Sequence, residues 1–374
     1  MKNDIFKVFG AFLLLFMIAF TSAASVVPVA GKVYSKFTVE KTPAKDLSLI
    51  NYGIQWAPDG HISYVTFPDG IRRYFISGNQ RAYVIETKAN VTLEDAIKNG
   101  PVIKAVFGPD ANVSYRNNYA TIAEVLQTDS KNPYHLFALT QFEQQLVKPD
   151  GTFDYSNFTA SVGLLESMDG GLSWKDLGQV IKGDDYLTPG TRISGAGEPT
   201  AIIKDGYVYI YYVDWAAQTK VFHADQIYLA RTKIVENGLS AFEFYTTSGF
   251  SPYESNLQPV ITLPFGNAGY TSLPSVSFNK YLNQYIMIYE TNLGFVSQIS
   301  TDGVNWKNSK TVLTFTQAQS DRKSGDVWYS YPTLLSDSQE PSDQTTQKAG
   351  NLYFSSGVWP NTAHQPAKKA FELQ

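Results

Sequence analysis

One unit recurs along this chain and limits what it can become. An apolar strand runs into a turn, and a second strand rich in Tyr and Ile follows. EPTAIIKDGYVYIYYVDW (198–215) is the clearest copy, and LPSVSFNKYLNQYIMIYETN (273–292) has the same form. YATIAEVLQTDSKNPYHLFALTQFE (119–143) has a longer turn, and HISYVTFPDGIRRYFISGN (61–79) is a fourth copy. A fifth, at 331–357, carries a polar insertion in its turn. The turns hold the expected breakers: Asp205-Gly206, Asn279-Lys280, Asp69-Gly70 and the stretch from Asp129 to Pro133. Third strands follow at SVGLLES (161–167), DQIYLART (225–232) and GFVSQIS (294–300). Helical periodicity is confined to TLEDAIKNG (92–100).

Copies recur at roughly 55 to 80 residues, as expected of stacked supersecondary units. They predict an all-β chain folded as a five-bladed β-propeller, one domain over 25–374. A two-sheet sandwich is the competing architecture, and the repetition favours the ring. KKAFELQ (368–374) and KVYSKFTVEK (32–41) remain to complete the last unit, the second latching the ring shut. Aromatics at 14% suit strands.

A net charge of −4 with 17% charged residues leaves no basic face for nucleic acid. Lys2 and Lys7, the apolar run AFLLLFMIAF (11–20) and the small residues TSAAS read as a signal peptide over 1–24. The alternative is an uncleaved anchor, but the run is short of the roughly 20 residues a span requires. The expected location is secreted or periplasmic, with no stable membrane insertion after cleavage. With no cysteine there are no disulfides and no thiolate chemistry. NVT (90–92), NVS (112–114) and NFT (157–159) fit the glycosylation pattern.

Two turns share an acidic, aromatic motif: SMDGGLSW, with Ser167, Asp169, Gly171 and Trp174, and STDGVNW, with Ser300, Asp302, Gly303 and Trp306. They resemble the Asp box of sialidases and related propellers, with Ser173 where Thr is usual and one residue fewer in the second. Asp can accept backbone N–H groups, Gly permits φ > 0, and Trp covers the hairpin, so the motif reads as a clasp. Each copy follows a third strand, which puts both on one face and the working site on the other.

Aligning the units by their turns places His61, Tyr119, Glu198, Leu273 and Tyr331 at the starts of the first strands. Asn79, Glu143, Asp214 and Glu290 end the second strands on the same face. Clustered carboxylates with aromatics suit glycoside hydrolysis, one carboxyl donating a proton while another activates water or attacks. Trp215 and Tyr212 are candidates for a sugar platform, with His61, Tyr119, Tyr331 and Arg192 as further substrate contacts. Arg192 can equally pair with Glu198.

The segment from Gly197 to Trp215 resembles the third-blade segment of family 43 glycosidases, over about 18 residues. That resemblance implies Glu198 as general acid. The family's base opens the first blade; here Asp59 lies near that place, shifted, with His61 at the aligned position. The base or nucleophile is therefore left among Glu143, Glu290, Asp214 and Asp59. No RIP segment is present, and Arg72, Arg73, Arg116, Arg192 and Arg231 fit no sialidase pattern. The histidines give no zinc spacing; no metal or cofactor is expected, and nothing marks a channel calcium. The expected partner is a carbohydrate. The rival is a non-catalytic carbohydrate-binding or adhesive propeller, and a lyase or transferase on the same fold is a third reading.

Overall fold

A computed structural model describes residues 34, 36–41, 45–100, 102–183, 193–215, 226–236, 238–262, 271–316 and 323–374. The apolar run at 11–20 and Arg192 lie outside these residues. The described chain is nearly all β. Its strands pair as five antiparallel groups, here sheets I to V.

Sheet I runs Ser63–Thr66, Ile71–Gly78, Arg81–Lys88 and Val102–Phe107. Sheet II runs Tyr119–Leu126, Leu136–Val147, Phe153–Ser167 and Lys175–Ile181. Sheet III runs Ile193–Lys204, Tyr207–Asp214, Gln226–Val235 and Gly238–Thr246. Sheet IV runs Thr271–Asn279, Gln284–Thr291, Gly294–Ser300 and Lys307–Thr314. Sheet V runs Val327–Leu335, Ala349–Val358 and His364–Leu373, and Phe37–Val39 adds the outer strand. The helix predicted at 92–100 forms over Leu93–Lys98, with Thr92 accepting the Asp95 N–H as N-cap. Among the described residues no helix is long and apolar enough to cross a membrane.

The near-continuous apolar runs follow from this arrangement, because a strand buried on both faces needs no polar alternation. In Tyr207–Asp214, Val208, Ile210 and Tyr212 pack toward sheet II, while Tyr209, Tyr211 and Val213 pack toward sheet IV. The remaining layers form in the same way. Phe75, Val84, Ile122 and Phe142 join I to II; Ile288, Phe295 and Phe354 join IV to V; Leu335, Tyr353, Tyr64 and Tyr74 join V back to I. Every sheet thus shares a core with the next, and the last shares one with the first.

The two motif turns are closed by their own side chains. Asp169 Oδ1 accepts the N–H groups of Leu172 and Ser173 at 3.0 Å each, and Ser167 Oγ donates to it at 2.8 Å. Trp174 Nε1 donates to the Gly171 carbonyl at 3.0 Å. A side chain at Gly171 (φ +89°) would strike the Phe75 ring at 2.5 Å, so both conformation and space demand glycine. Asp302 accepts the Val304 and Asn305 N–H groups in the same way. Partial burial pulls its pKa upward, but these bonds and those from Asn305 Nδ2 and Ser300 Oγ outweigh it and leave the carboxyl at about 2.

The chain ends complete sheet V. Phe37 pairs with Leu373 and Val39 with Phe371, and the rings of Phe37 and Phe371 lie 5.5 Å apart. Phe371 is buried within the layer between sheets IV and V. We therefore expect Phe371→Ala to lower unfolding free energy by about 3–5 kcal/mol. Glu372→Ala, at an exposed position beside it, should change it by no more than about 0.5 kcal/mol. Urea denaturation of both variants checks this contrast; equal effects would mean that the ring does not depend on this contact.

Candidate functional site

Three inner strands break their ladder at the same place. The pairing skips between Gly197 and Thr200, between Ser272 and Ser275, and between Ser330 and Thr333. Each skip holds an Xaa-Pro pair: Glu198-Pro199, Leu273-Pro274 and Tyr331-Pro332. Proline has no N–H to give the ladder, so a bulge is its natural place in an inner strand. The residue before it turns left-handed, with φ of +52°, +55° and +57° respectively. Such non-glycine conformations cost about 1–3 kcal/mol each and persist only where the surroundings enforce them. Here they aim three side chains at one point. Glu198, Leu273 and Tyr331 line a single cleft with His61, Pro274 and Pro332.

Asp59 belongs to this group although its sequence position looked shifted. Its Oδ2 accepts the Tyr119 hydroxyl at 2.9 Å, and the Tyr331 hydroxyl also bonds to it. Burial first, and then the Asp59 carboxylate, hold both phenols far above their usual pKa.

Glu198 is organised by a residue that the sequence reading did not name. Its backbone N–H donates to Gln141 Oε1 at 2.8 Å. With that oxygen engaged, the Gln141 amide NH₂ faces the carboxylates, reaching Glu143 Oε1 at 3.0 Å and bonding to Glu198 as well. Gln145 Nε2 donates to the other Glu143 oxygen at 3.0 Å. Gln141, Glu143 and Gln145 alternate along one strand and so share a face. Burial pushes Glu143 up to about 7, with the two amides opposing and Asp59 adding to the rise. Glu198 is pushed well above the ordinary carboxylate range by burial, and further by Asp59, Glu143 and Glu290. Glu290, 1% exposed, accepts a hydrogen bond from Ser330 Oγ at 2.5 Å.

Other expected members are not part of this group. Asp214 sits beside the backbone of Gly183 and acts electrostatically on Tyr212. Trp215 and Tyr212 offer no sugar platform. Tyr212 is fully buried between sheets II and III, and Trp215, 7% exposed, packs between III and IV against Gly197. Both aromatics followed from adjacency in sequence, whereas the double-sided burial of their strand sends them into the core. Asn79 caps a loop, its side chain bonding to the N–H of Gln55 and the carbonyl of Gly53.

Below the cleft, His61 Nε2 lies 3.1 Å from Asp343 Oδ2 and 3.5 Å from Glu124 Oε2. One donor atom from each falls within 4.8 Å of the others. Burial, and then Asp343, raise Glu124 well above the ordinary range, while Thr200 Oγ1 and the Ala201 N–H donate to it at 3.1 and 3.0 Å. These groups can hold a cation or share a proton. The sequence carries a signal for them: Glu124 interrupts the apolar run YATIAEVL, and Asp343 lies in the polar insertion of the fifth unit.

No protein-family model and no curated protein matches the sequence. Solved structures do match. The catalytic domain of the Coprinopsis cinerea GH62 α-L-arabinofuranosidase is 11% identical, with a TM-score of 0.54 over 91% of this chain and 98% of that one. An α-L-arabinofuranosidase from Lactobacillus brevis gives 11% and 0.54, over 85% and 91%. The Penicillium chrysogenum α-L-arabinanase complexed with arabinobiose gives 11% and 0.51, over 90% and 98%. These neighbours are β-propeller glycoside hydrolases, and the present chain has the β-propeller fold.

The raised carboxyl pKa values make stability depend on pH. Glu143 keeps its proton in the folded state to about pH 7, against 4.5 for the ordinary group. Its contribution is full below 4.5 and is lost as pH rises through 7. The urea midpoint of the wild type should therefore fall across this window, and Glu143→Gln should flatten the fall. A variant with an unaltered pH profile would show that Glu143 titrates normally.

Proposed function

We propose that the protein is an exported glycoside hydrolase built on a five-bladed propeller. Glu198 is the general acid and Asp59 the base or nucleophile. The observation that carries this reading is that Asp59, bonded to the cleft residue Tyr331, lies close enough to Glu198 to act on its carboxyl, while the two have different surroundings. Glu198 stands in a field of carboxylates that favours its protonated form. Asp59 accepts hydroxyl hydrogen bonds from Tyr119 and Tyr331. Glycosidic cleavage requires one carboxyl that donates a proton and a second that activates water or attacks the sugar.

In this reading Glu198 gives its proton to the departing glycosidic oxygen as the bond to the anomeric carbon breaks. Asp59 takes a proton from the attacking water or attacks that carbon itself, and the anomeric configuration of the first product tells which. Gln141 positions Glu198 through its backbone and couples it to Glu143. The hairpins at Asp169 and Asp302 serve as Asp-box clasps, and the leader over 1–24 directs export. The fold neighbours include enzymes that act on arabinose glycosides, so arabinan and arabinoxylan come first among substrates to try.

One observation favours the rival, a propeller that binds sugar without turnover. Glu143, Glu290 and Tyr119 are 5%, 1% and 7% exposed, so the cleft is narrow. A panel of arabinan, arabinoxylan, xylan and galactan separates the two. Glu198→Gln and Asp59→Asn should each lower turnover by about 10²–10⁴-fold while leaving binding in place. Undiminished turnover in either variant removes that residue from its role. Binding with no turnover by the wild type supports the rival.

A further inference from the structure

Part of the cleft is lined by groups that the proposed chemistry does not use. Leu273, Pro274 and Pro332 give it a hydrocarbon wall beside the polar side chains of Glu198, His61 and Tyr331. Leu273 belongs to sheet IV, between the sheets that carry Glu198 and Tyr331. It is partly exposed, as those two are, whereas Pro274 and Pro332 are buried. Its side chain is therefore open to whatever enters the cleft. The backbone beneath it is unusual for its residue type. Of ten non-glycine residues with positive φ, seven are Asn, Asp or Gln, and the other three are the Xaa-Pro residues of the cleft. Leu273 alone of the ten is aliphatic. Core packing does not account for it, because among the described residues it joins none of the five apolar clusters. A strained backbone held without a packing reason points to a role at the site.

The space and chemistry of the wall limit what it can meet. The free volume among the lining residues is about 10 Å³, the room of one water. A sugar can lower only a slim edge into it, with the reacting carbon directed at Glu198 and Asp59. Two edges flank that carbon. One begins with the 2-hydroxyl, whose hydrogen bonds strengthen as the glycosidic bond breaks. Against hydrocarbon that hydroxyl would lose its partner. The other edge begins with the ring oxygen, and the carbon beyond it carries either hydrogen or a hydroxymethyl group. The wall suits this second edge, and only with hydrogen is the edge both slim and apolar.

We propose that Leu273 determines specificity: it packs against the ring-oxygen edge of the sugar that is cleaved and admits sugars without a hydroxymethyl group there, pentopyranosides foremost. The inference rests on the glycosidase reading above. Among pyranose chains it puts xylan ahead of galactan. Its test uses aryl glycosides in matched pairs, in both anomers: D-xylopyranoside against D-glucopyranoside, L-arabinopyranoside against D-galactopyranoside, and L-threofuranoside against L-arabinofuranoside. The members of each pair differ only by the hydroxymethyl group. In every pair that the wild type cleaves, kcat/KM should favour the member without it by about 10- to 100-fold. Where the wild type binds without turnover, the same ratio is read in Kd. Gly and Asn both accept a left-handed backbone, so Leu273→Gly and Leu273→Asn should keep the fold. Each should shrink the preference by about 10-fold, through a rise in kcat/KM on the larger sugar. A merely structural role would lower both sugars alike. Should a variant fail to fold, the preference of the wild type still answers. Equal or reversed preference in the wild type, a preference that neither variant changes, or turnover confined to arabinan or galactan overturns the role of Leu273 alone. A wild type that neither cleaves nor binds any of these glycosides or polysaccharides overturns the glycosidase reading and this inference together.

Discussion

A β-sheet with two apolar faces cannot stop at its neighbour. Each sheet here buries one face on the sheet before it and the other on the sheet after it, so the stack ends only where it meets itself. The layer of Leu335, Tyr353, Tyr64 and Tyr74 makes that meeting, joining sheet V to sheet I. The pairing of Phe37–Val39 with His364–Leu373 completes sheet V from both ends of the described chain. At about 25 cal/mol per Å² of apolar area, each layer is a major stabilising term, and opening one leaves two faces in water. This constraint fixes the axis, and the axis brings distant carboxylates together.

The site uses that rigidity. Glu198, Leu273 and Tyr331 hold left-handed backbones that would relax in an isolated hairpin. The flanking layers keep them in place, and the cleft gains side chains directed across the ladder rather than along it. Burial does the rest. Glu143 and Glu198 lose water and gain carboxylate neighbours, so both favour the protonated form, while two phenol hydroxyls serve Asp59. Stability and the proposed chemistry are opposed here, since the arrangement that readies a proton donor also destabilises the fold as pH rises.

Much of this was legible before the structure. The five hairpin units, the helix at 93–98 and the pairing of 368–374 with the strand inside 32–41 all follow from turn residues and apolar runs. Aligning units by their turns placed His61, Glu198, Leu273 and Tyr331 together, because repeats register by their turns. What escaped was set by long-range packing. Trp215 and Tyr212 stand beside Asp214 in sequence, but a strand covered on both faces turns them into the core. Gln141, Glu124 and Asp343 act through bonds between sheets, and each shows in the sequence only as a polar residue interrupting an apolar or turn segment. Asp59 looked misplaced because alignment by strand position ignores the loop ahead of the strand, which carries its carboxylate back to Tyr119.

The left-handed Xaa-Pro position in sheet IV holds Leu273, which has no polar group to offer. Its backbone is nonetheless the same as that of Glu198 and Tyr331. The direction of the side chain is therefore set by the ring and its identity is left to selection. A propeller of this kind keeps its sockets and exchanges what they carry: an acid in one, a phenol in another, a hydrocarbon in a third. New specificities can arise by single replacements at such sockets, with the scaffold's folding problem already solved.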